Sequence, residues 1–403
     1  MSITSPDFQT IKKFSLLGSL YVSQFLPMGF FDQALPVVMR QQGFSLETIG
    51  LVYLLGLPWM IKFLWSPWID RYGLSRRGHY RSWIILTQSL LVCVIAAIAF
   101  IDLQQNLNIG LIALALVSFS AATQDIATDA LAIRLLSPKQ RGFGNGIQNA
   151  GNYLGAILGG GVLLIFINQL GWTRSLLALS ILLALPILPI FLYQEQAKFK
   201  SNNSKIGFTT FFRFFRRPGN RNWLLVVSLL TFSPAMAAGM FRPLLVDIGL
   251  SLQDIGLLSG VVGYLSGMVG ALLGGALISS FGHVRSLLFF SIVQAISISG
   301  FMIPAVGIVN LPILYTVSSI SNFSSGMSAT ALFTLMMDRS ELSTAGSDYT
   351  LQIAIRTTVA LIASAVSGFI AAKLGFSAFF GGCIVFAFVC IVASARLLNL
   401  QTS

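Results

Sequence analysis

The sequence predicts an all-α polytopic membrane protein whose twelve membrane-spanning helices form two six-helix pseudo-repeats. Of the 403 residues, 55% are hydrophobic and only 9% are charged. A soluble domain needs about 25% charged residues to cover its surface. Twelve apolar runs each approach the ~20 residues that a helix needs to cross a bilayer. The composition excludes a disordered protein, a nucleic-acid-binding domain and an ordinary soluble enzyme.

The apolar runs are continuous, which excludes the alternating pattern of barrel strands. They lie at residues 14–38, 48–69, 82–101, 109–134, 145–168, 173–193, 222–247, 253–280, 284–306, 311–337, 347–372 and 376–398. The short polar stretch from Met1 to Lys13 has no cleavage-site pattern, so we expect the first run to be a retained span and not a signal peptide.

A basic segment divides the chain into an N-terminal half, 1–193, and a C-terminal half, 222–403. The linker between them, 194–221, contains seven Lys and Arg and a single acid, Glu195. If the N-terminus is cytoplasmic, 19 of the 25 Lys and Arg fall on the cytoplasmic side, as the positive-inside rule requires. The net charge of +12 therefore indicates orientation, with both termini cytoplasmic, and not a nucleic-acid partner.

The two halves share a motif between their first and second spans. Gly43-Phe-Ser-Leu-Glu-Thr-Ile-Gly-Leu51 recurs as Gly249-Leu-Ser-Leu-Gln-Asp-Ile-Gly-Leu257, 206 residues later. Two parallel halves around a central site are typical of secondary transporters. The sequence also lacks a Gly-x-x-x-x-Gly-Lys-Ser/Thr loop, which favours an ion gradient over nucleotide hydrolysis as the energy source.

Several motifs resemble those of one transporter family. Asp70-Arg71-Tyr72-Gly73, followed by Arg76-Arg77, resembles the signature loop of the major facilitator superfamily. The stretches Lys62-Phe-Leu-Trp-Ser-Pro67 and Thr123-Gln-Asp-Ile126 resemble the muropeptide-permease and acetyl-CoA-transporter group.

A second resemblance concerns the first 83 residues. Leu20-Tyr-Val-Ser-Gln24, Pro27-Met-Gly-Phe30, Arg40-Gln-Gln-Gly43 and Gly78-His-Tyr-Arg-Ser-Trp83 look most like the rhizobactin/pyochelin type of siderophore permease. This resemblance implies proton-driven import of a ferric siderophore across the inner membrane. The alternatives are a muropeptide or acyl-CoA-like anion as cargo, an exporter of siderophores or drugs, and a non-transporting sensor. The glycine run at 159–161 lacks the proline that is usual in drug antiporters, which disfavours export.

Charged residues inside a bilayer cost at least about 2.5 kcal/mol each near its centre, so each needs a partner or a role. Asp125 and Asp129 share one face of the fourth span, and Lys62 lies in the second. At 1.5 Å per residue, Lys62 and Asp125 lie roughly 12 and 13 Å from the same membrane edge, so that they can form a pair. The pair is either a structural lock or a proton relay, with Asp129 beside it.

Two further charged residues have open interpretations. Arg356 lies near the middle of the eleventh span, where it either binds an anionic group of the substrate or pairs with a carboxylate such as Asp32. Asp32 is a candidate second proton site or substrate contact. Arg242, near the outer end of the seventh span, has the position of an interfacial cation that extends toward the headgroups.

Polar residues within the spans form a candidate substrate lining: Gln24, Trp59, Gln148, Asn152, Tyr153 and Gln352. The family resemblance assigns Asp70, Arg71, Arg76 and Arg77 to a gate made of charge pairs. The three cysteines and two histidines form no metal or disulfide pattern. We expect no enzyme activity, no cofactor, no metal and no nucleic-acid partner. The family resemblance implies a monomer whose partners are a small-molecule substrate, the ferric siderophore, together with protons and the lipid bilayer.

Overall fold

The structure is a computed structural model that describes residues 8–45, 48, 52–75, 78–195 and 207–399. All regular secondary structure within these ranges is helical, which confirms the predicted all-α class. The predicted gate residues Arg76 and Arg77 lie outside the described residues.

Nine helices in the described part of the chain are long and apolar enough to cross a membrane. The last of them, Ala345–Asn399, is two helices joined at Gly375, whose φ of +75° suits a residue without a Cβ atom. The interrupted segment 52–71 and the helix Leu311–Asp338 complete the twelve that the sequence predicts.

We number these helices in chain order. They are α1 Gln9–Gln41, α2 52–71, α3 His79–Ile98, α4 Leu107–Leu135, α5 Pro138–Leu170, α6 Trp172–Leu192, α7 Asn220–Asp247, α8 Gly256–Phe281, α9 His283–Ala305, α10 Leu311–Asp338, α11 345–374 and α12 376–399.

Prolines divide α2 into short pieces. Pro58 and Pro67 each lie in the first turn of a short helix, Leu57–Ile61 and Ser66–Arg71, where the missing N–H group is tolerated. A 3₁₀ turn, Lys62–Leu64, lies between these helices. The break therefore places Lys62 on an irregular stretch and not within a regular helix.

Three other described helices contain π-helical segments, one of which, Gly256–Val262, begins α8. Phe30–Ala34 interrupts α1, and Ile157–Val162 interrupts α5. Helices α1 and α5 approach each other closely at these segments. A Cβ atom on Gly159 of α5 would overlap the carbonyl oxygen of Leu26 of α1. Small residues permit such approaches between membrane helices.

The chain forms two compact units. Unit 1 comprises residues 1–137, 151–210 and 341–350, and unit 2 comprises residues 138–150, 211–340 and 351–403. Each unit has its own apolar core, around Phe30 and Leu91 in unit 1 and around Phe241 and Phe380 in unit 2. The boundaries 193 and 222 of the two sequence halves stay a prediction.

Candidate transport sites: a buried charge network and an arginine-lined cavity

Unit 1 contains a buried charge network in which three helices meet. Lys62 of α2 forms an ion pair with Asp125 of α4, and these side chains are only 3% and 4% exposed. The side-chain amide of Gln24, on α1, donates a hydrogen bond to the same carboxylate. The structure thus contains the ion pair that the matching depths suggest, together with a third member that depth alone does not identify.

Asp129, one turn farther along α4, belongs to the same network. The hydroxyl of Tyr21 donates to Asp129 Oδ1 at 3.1 Å, and both side chains are buried. The Lys62 ammonium group also lies 5.1 Å from the centroid of the Trp59 ring. Two residues of α1, three positions apart, therefore each contact one of the two carboxylates of α4.

The charges of this network are unequal. With Asp125 and Asp129 ionised and Lys62 protonated, the three side chains carry a formal charge of −1. One added proton makes them neutral, which lowers the cost of keeping them out of water. The contacts alone are those of a structural lock and of a proton relay alike.

Asp32 lies in the π-helical segment of α1, and its side chain is exposed. The hydrogen bonds and ion pair of the network do not include it. Its roles as a second proton site or a substrate contact stay predictions.

The candidate gate residue Asp70, at the end of α2, is completely buried. Its carboxylate accepts hydrogen bonds from the Tyr80 hydroxyl at 2.6 Å and from the backbone N–H groups of Gly346 and Ser347 at 3.0 and 2.7 Å. The Ser347 hydroxyl adds a fourth hydrogen bond at 2.6 Å. Asp70 therefore caps the N-terminus of α11, where the helix dipole favours a negative charge. The neighbouring Arg71 guanidinium lies 5.1 Å from the centroid of the Tyr72 ring.

Unit 2 contains a cavity of about 460 Å³ that two arginines line, Arg242 of α7 and Arg356 of α11. No acidic residue is among its described lining residues. The Arg356 guanidinium lies 5.1 Å from the centroid of the Phe333 ring. The neutral polar lining consists of Thr231, Ser259, Gln294, Ser318, Ser321, Asn322, Ser325 and Ser328. Arg242, which the sequence suggests is an interfacial cation, also faces this cavity.

Four of these serines share a face of α10. Ser318, Ser321, Ser325 and Ser328 follow one another at intervals of three, four and three residues, so that they lie on one side of the helix. They are not among the lining residues predicted from the sequence, although this helical spacing could have identified them.

The other candidate lining residues occupy different surroundings. Gln352 is buried, accepts a hydrogen bond from Trp223 Nε1 at 2.6 Å and donates to the Met336 carbonyl oxygen at 3.1 Å. Gln352 is therefore bonded to α7 and α10 within the packed interior of unit 2. Gln148 of unit 2 is also buried.

The remaining three candidate lining residues belong to unit 1, and one of them, Trp59, contacts its charge network. Asn152 is exposed and Tyr153 is half-buried, both on α5. The Trp59 ring stacks on Phe25, with centroids 5.7 Å apart, and is half-buried. Their roles in substrate binding stay predictions.

Unit 2 has a charge cluster of its own, away from the arginine-lined cavity. Arg141 Nη1 lies 2.7 Å from Asp338 Oδ1, and His283 Nδ1 contacts the other carboxylate oxygen. His283 is the first residue of α9. Asp338, at the end of α10, therefore contacts both the first turn of α5 and the start of α9.

Comparison with known proteins identifies the family. The sequence model described as Major Facilitator Superfamily matches residues 17–357. The anhydromuropeptide permease of Escherichia coli K12 is 28% identical over 362 residues, which cover 88% of this chain and 73% of the permease. A putative transporter AmpG 3 of Rickettsia typhi is 25% identical over 388 residues, which cover 92% of each chain.

A solved structure shows the same fold. The crystal structure of the major facilitator superfamily transporter FucP in its outward conformation superimposes with a TM-score of 0.73. The match covers 97% of this chain and 99% of FucP at 15% identity, so this likeness concerns the fold alone. The chain is therefore a multi-pass membrane protein and a secondary transporter that belongs to the Major Facilitator Superfamily.

Proposed function

We propose that this protein imports an anionic solute of the muropeptide class across the inner membrane. The proton gradient would drive the transport, and the mechanism would be alternating access. The observation that carries the proposal is the arginine-lined cavity of unit 2. A muropeptide combines sugar hydroxyls, amides and free carboxylates. The cavity offers complementary groups, with two guanidinium groups for carboxylates and a row of hydroxyl and amide side chains for the neutral polar groups.

The dimensions of the cavity are consistent with part of such a solute. Sites for small ligands have volumes of about 300–1,000 Å³, and the cavity has about 460 Å³. A guanidinium group binds a carboxylate through two parallel hydrogen bonds, which adds orientation to affinity. We assign Arg356 to a substrate carboxylate and place the serines of α10 beside the sugar or peptide portion.

The charge network of unit 1 is our candidate for proton coupling. Asp125 and Asp129 would share the transported proton, and Lys62 would bind or release Asp125 according to the charge of that carboxylate. We assign Asp70, Arg71, Arg76 and Arg77 to the gate, where Asp70 would hold the N-terminus of α11 in one state. We also place both termini in the cytoplasm, because the basic residues cluster on that side.

A ferric siderophore is the second candidate cargo. The resemblance within the first 83 residues favours it, and the cavity arginines would equally bind its carboxylate or hydroxamate groups. The relatives described above favour the muropeptide, because one of them is named an anhydromuropeptide permease. An acyl-CoA-like anion would use the same guanidinium groups.

The test is uptake by proteoliposomes of radiolabelled anhydromuropeptide or of a radiolabelled ferric siderophore, under an imposed proton gradient. We expect uptake of the muropeptide that a protonophore abolishes. Replacing Arg356 with Gln removes a charge-assisted contact of about 1.5–3 kcal/mol, so the apparent KM should rise about tenfold or more. The matched control is Arg174→Gln, at an exposed arginine on α6 outside the cavity.

Three outcomes would contradict parts of the proposal. Uptake of the siderophore alone would replace the cargo and retain the mechanism. Uptake that persists with the protonophore would exclude proton coupling. Equal effects of R356Q and R174Q on KM would exclude the cavity as the binding site.

A further inference from the structure

The short helix Thr209–Arg216 lies just before the first residue of α7. One face of it packs into unit 2. Phe214 is completely buried in a cluster with Leu224 and Leu351, and Phe211 packs against the same cluster. These contacts fix the orientation of the helix, so that its opposite face points consistently outward.

The outward face consists of two adjacent strips. Phe212 is 69% exposed and Phe215 is 36% exposed. Arg213 and Arg216 are exposed beside them. At 100° per residue, the two phenylalanines lie within about 60° of each other, and so do the two arginines on the other side. The exposed half of the helix is thus itself divided into an aromatic strip and a basic strip.

The surrounding sequence is strongly basic. Between Glu195 and Asp247 there is no acidic residue, and the linker contains seven Lys and Arg. Arg217 and Arg221 flank the start of α7, which is the edge of a membrane span. The helix therefore adjoins the first residue of a candidate membrane span, with aromatic rings and cations on its outward face.

We propose that the outward face of Thr209–Arg216 binds the anionic phospholipid surface of the bilayer. Phe212 and Phe215 would enter the boundary between headgroups and acyl chains, and Arg213 and Arg216 would contact the lipid phosphates. Aromatic rings beside Lys or Arg are the composition of helices that lie in the membrane interface. This inference depends neither on the cargo nor on the proton coupling proposed above.

The probe is an environment-sensitive fluorophore at position 212, introduced as F212C in the full chain with the exposed Cys93 replaced by Ser. The labelled protein is reconstituted in vesicles of phosphatidylcholine, into which increasing fractions of phosphatidylglycerol are mixed. We expect a blue shift and protection from acrylamide that rise with the phosphatidylglycerol fraction. Salt should reverse both effects, because it screens surface charge.

The charge variant is R213Q/R216Q in the labelled chain. Each arginine near an anionic surface raises the affinity for that surface about fivefold. Removing both arginines should therefore lower the apparent affinity of the helix for phosphatidylglycerol by roughly thirtyfold. The matched control, R174Q/R285Q, removes two exposed arginines elsewhere and should leave the response unchanged.

Two results would overturn the proposal. The first is an equal signal in vesicles with and without phosphatidylglycerol. The second is a blue shift that disappears when the protein is diluted within the vesicles at constant lipid composition, because this would identify the face as a contact between copies. The salt titration uses the otherwise unchanged labelled chain, so it tests the proposal even where a charge variant expresses poorly.

Discussion

The ion pair between Lys62 and Asp125 allows a double-mutant test of whether the network is a lock or a relay. Replacing Lys62 with Met removes the cation that pairs with Asp125, whose side chain is only 4% exposed. The hydrogen bond from the Gln24 amide to the Asp125 carboxylate remains. Removing one member of a buried pair typically costs about 3–5 kcal/mol, because the other charge stays buried without compensation. We expect this loss of unfolding free energy in K62M, and a similar loss in D125N.

The double variant K62M/D125N should be more stable than either single variant. Its core contains a methionine and a neutral amide, and replacing a buried pair by neutral groups is often without cost. The coupling energy should then exceed the larger of the two single losses, about 3–5 kcal/mol, and so lie above the range of about 0.5–3 kcal/mol that is usual for contacting residues. The assay is equilibrium unfolding of the purified proteins in mixed detergent micelles, with K373M as the control at an exposed lysine.

The same three proteins separate the two roles. If the pair is only a lock, the stable double variant should transport as the wild type does. If the pair is a relay, that variant should fold but lose its dependence on the proton gradient. Destabilisations that simply add in the double variant would refute the coupling on which both interpretations depend.

Two further predictions concern helix packing and capping. Replacing Asp70 with Ala should lower the unfolding free energy by about 3 kcal/mol or more, because each buried donor left without an acceptor costs about 1–3 kcal/mol. In the same unfolding assay, S347A should cost about 1 kcal/mol. G159A should strongly reduce the yield of monodisperse protein, because its Cβ atom would overlap the Leu26 carbonyl oxygen. G161A has open space around its Cβ position and should purify normally. Equal yields would contradict the close approach of α1 and α5.

The sequence predicts distances along the membrane normal better than it predicts rotation. The rise of 1.5 Å per residue is a property of every α-helix, so the matching depths of Lys62 and Asp125 follow from their positions in the sequence alone. Which side of α1 faces α4 depends on packing, and the sequence therefore does not identify Gln24 and Tyr21 as the partners of the two aspartates. Lys62 itself lies on a 3₁₀ turn that the apolar run 48–69 does not indicate.

Polarity within a span is an ambiguous signal. Gln352 satisfies its amide with Trp223 and a backbone carbonyl, so that its burial needs no ligand. A serine is small and can bond to its own helix, so that a single serine within a span does not indicate a ligand site. The repetition of serines on one face of α10 supplies four of the eight neutral polar side chains that line the cavity.

The π-helical segment of α1 has a consequence for how the helix can vary in length. A π-turn contains one residue more than an α-turn, so deleting one residue from Phe30–Ala34 would restore a regular α-helix. Because the π-turn holds the extra residue within one wider turn, the outer end of α1 would keep nearly the same rotation relative to its inner end. Buried Leu35 and Val38 would stay in the core, and Tyr21 and Gln24 would keep their contacts with α4. Related chains that differ by one residue at this position would thus share both the charge network and the packing of the outer end of α1.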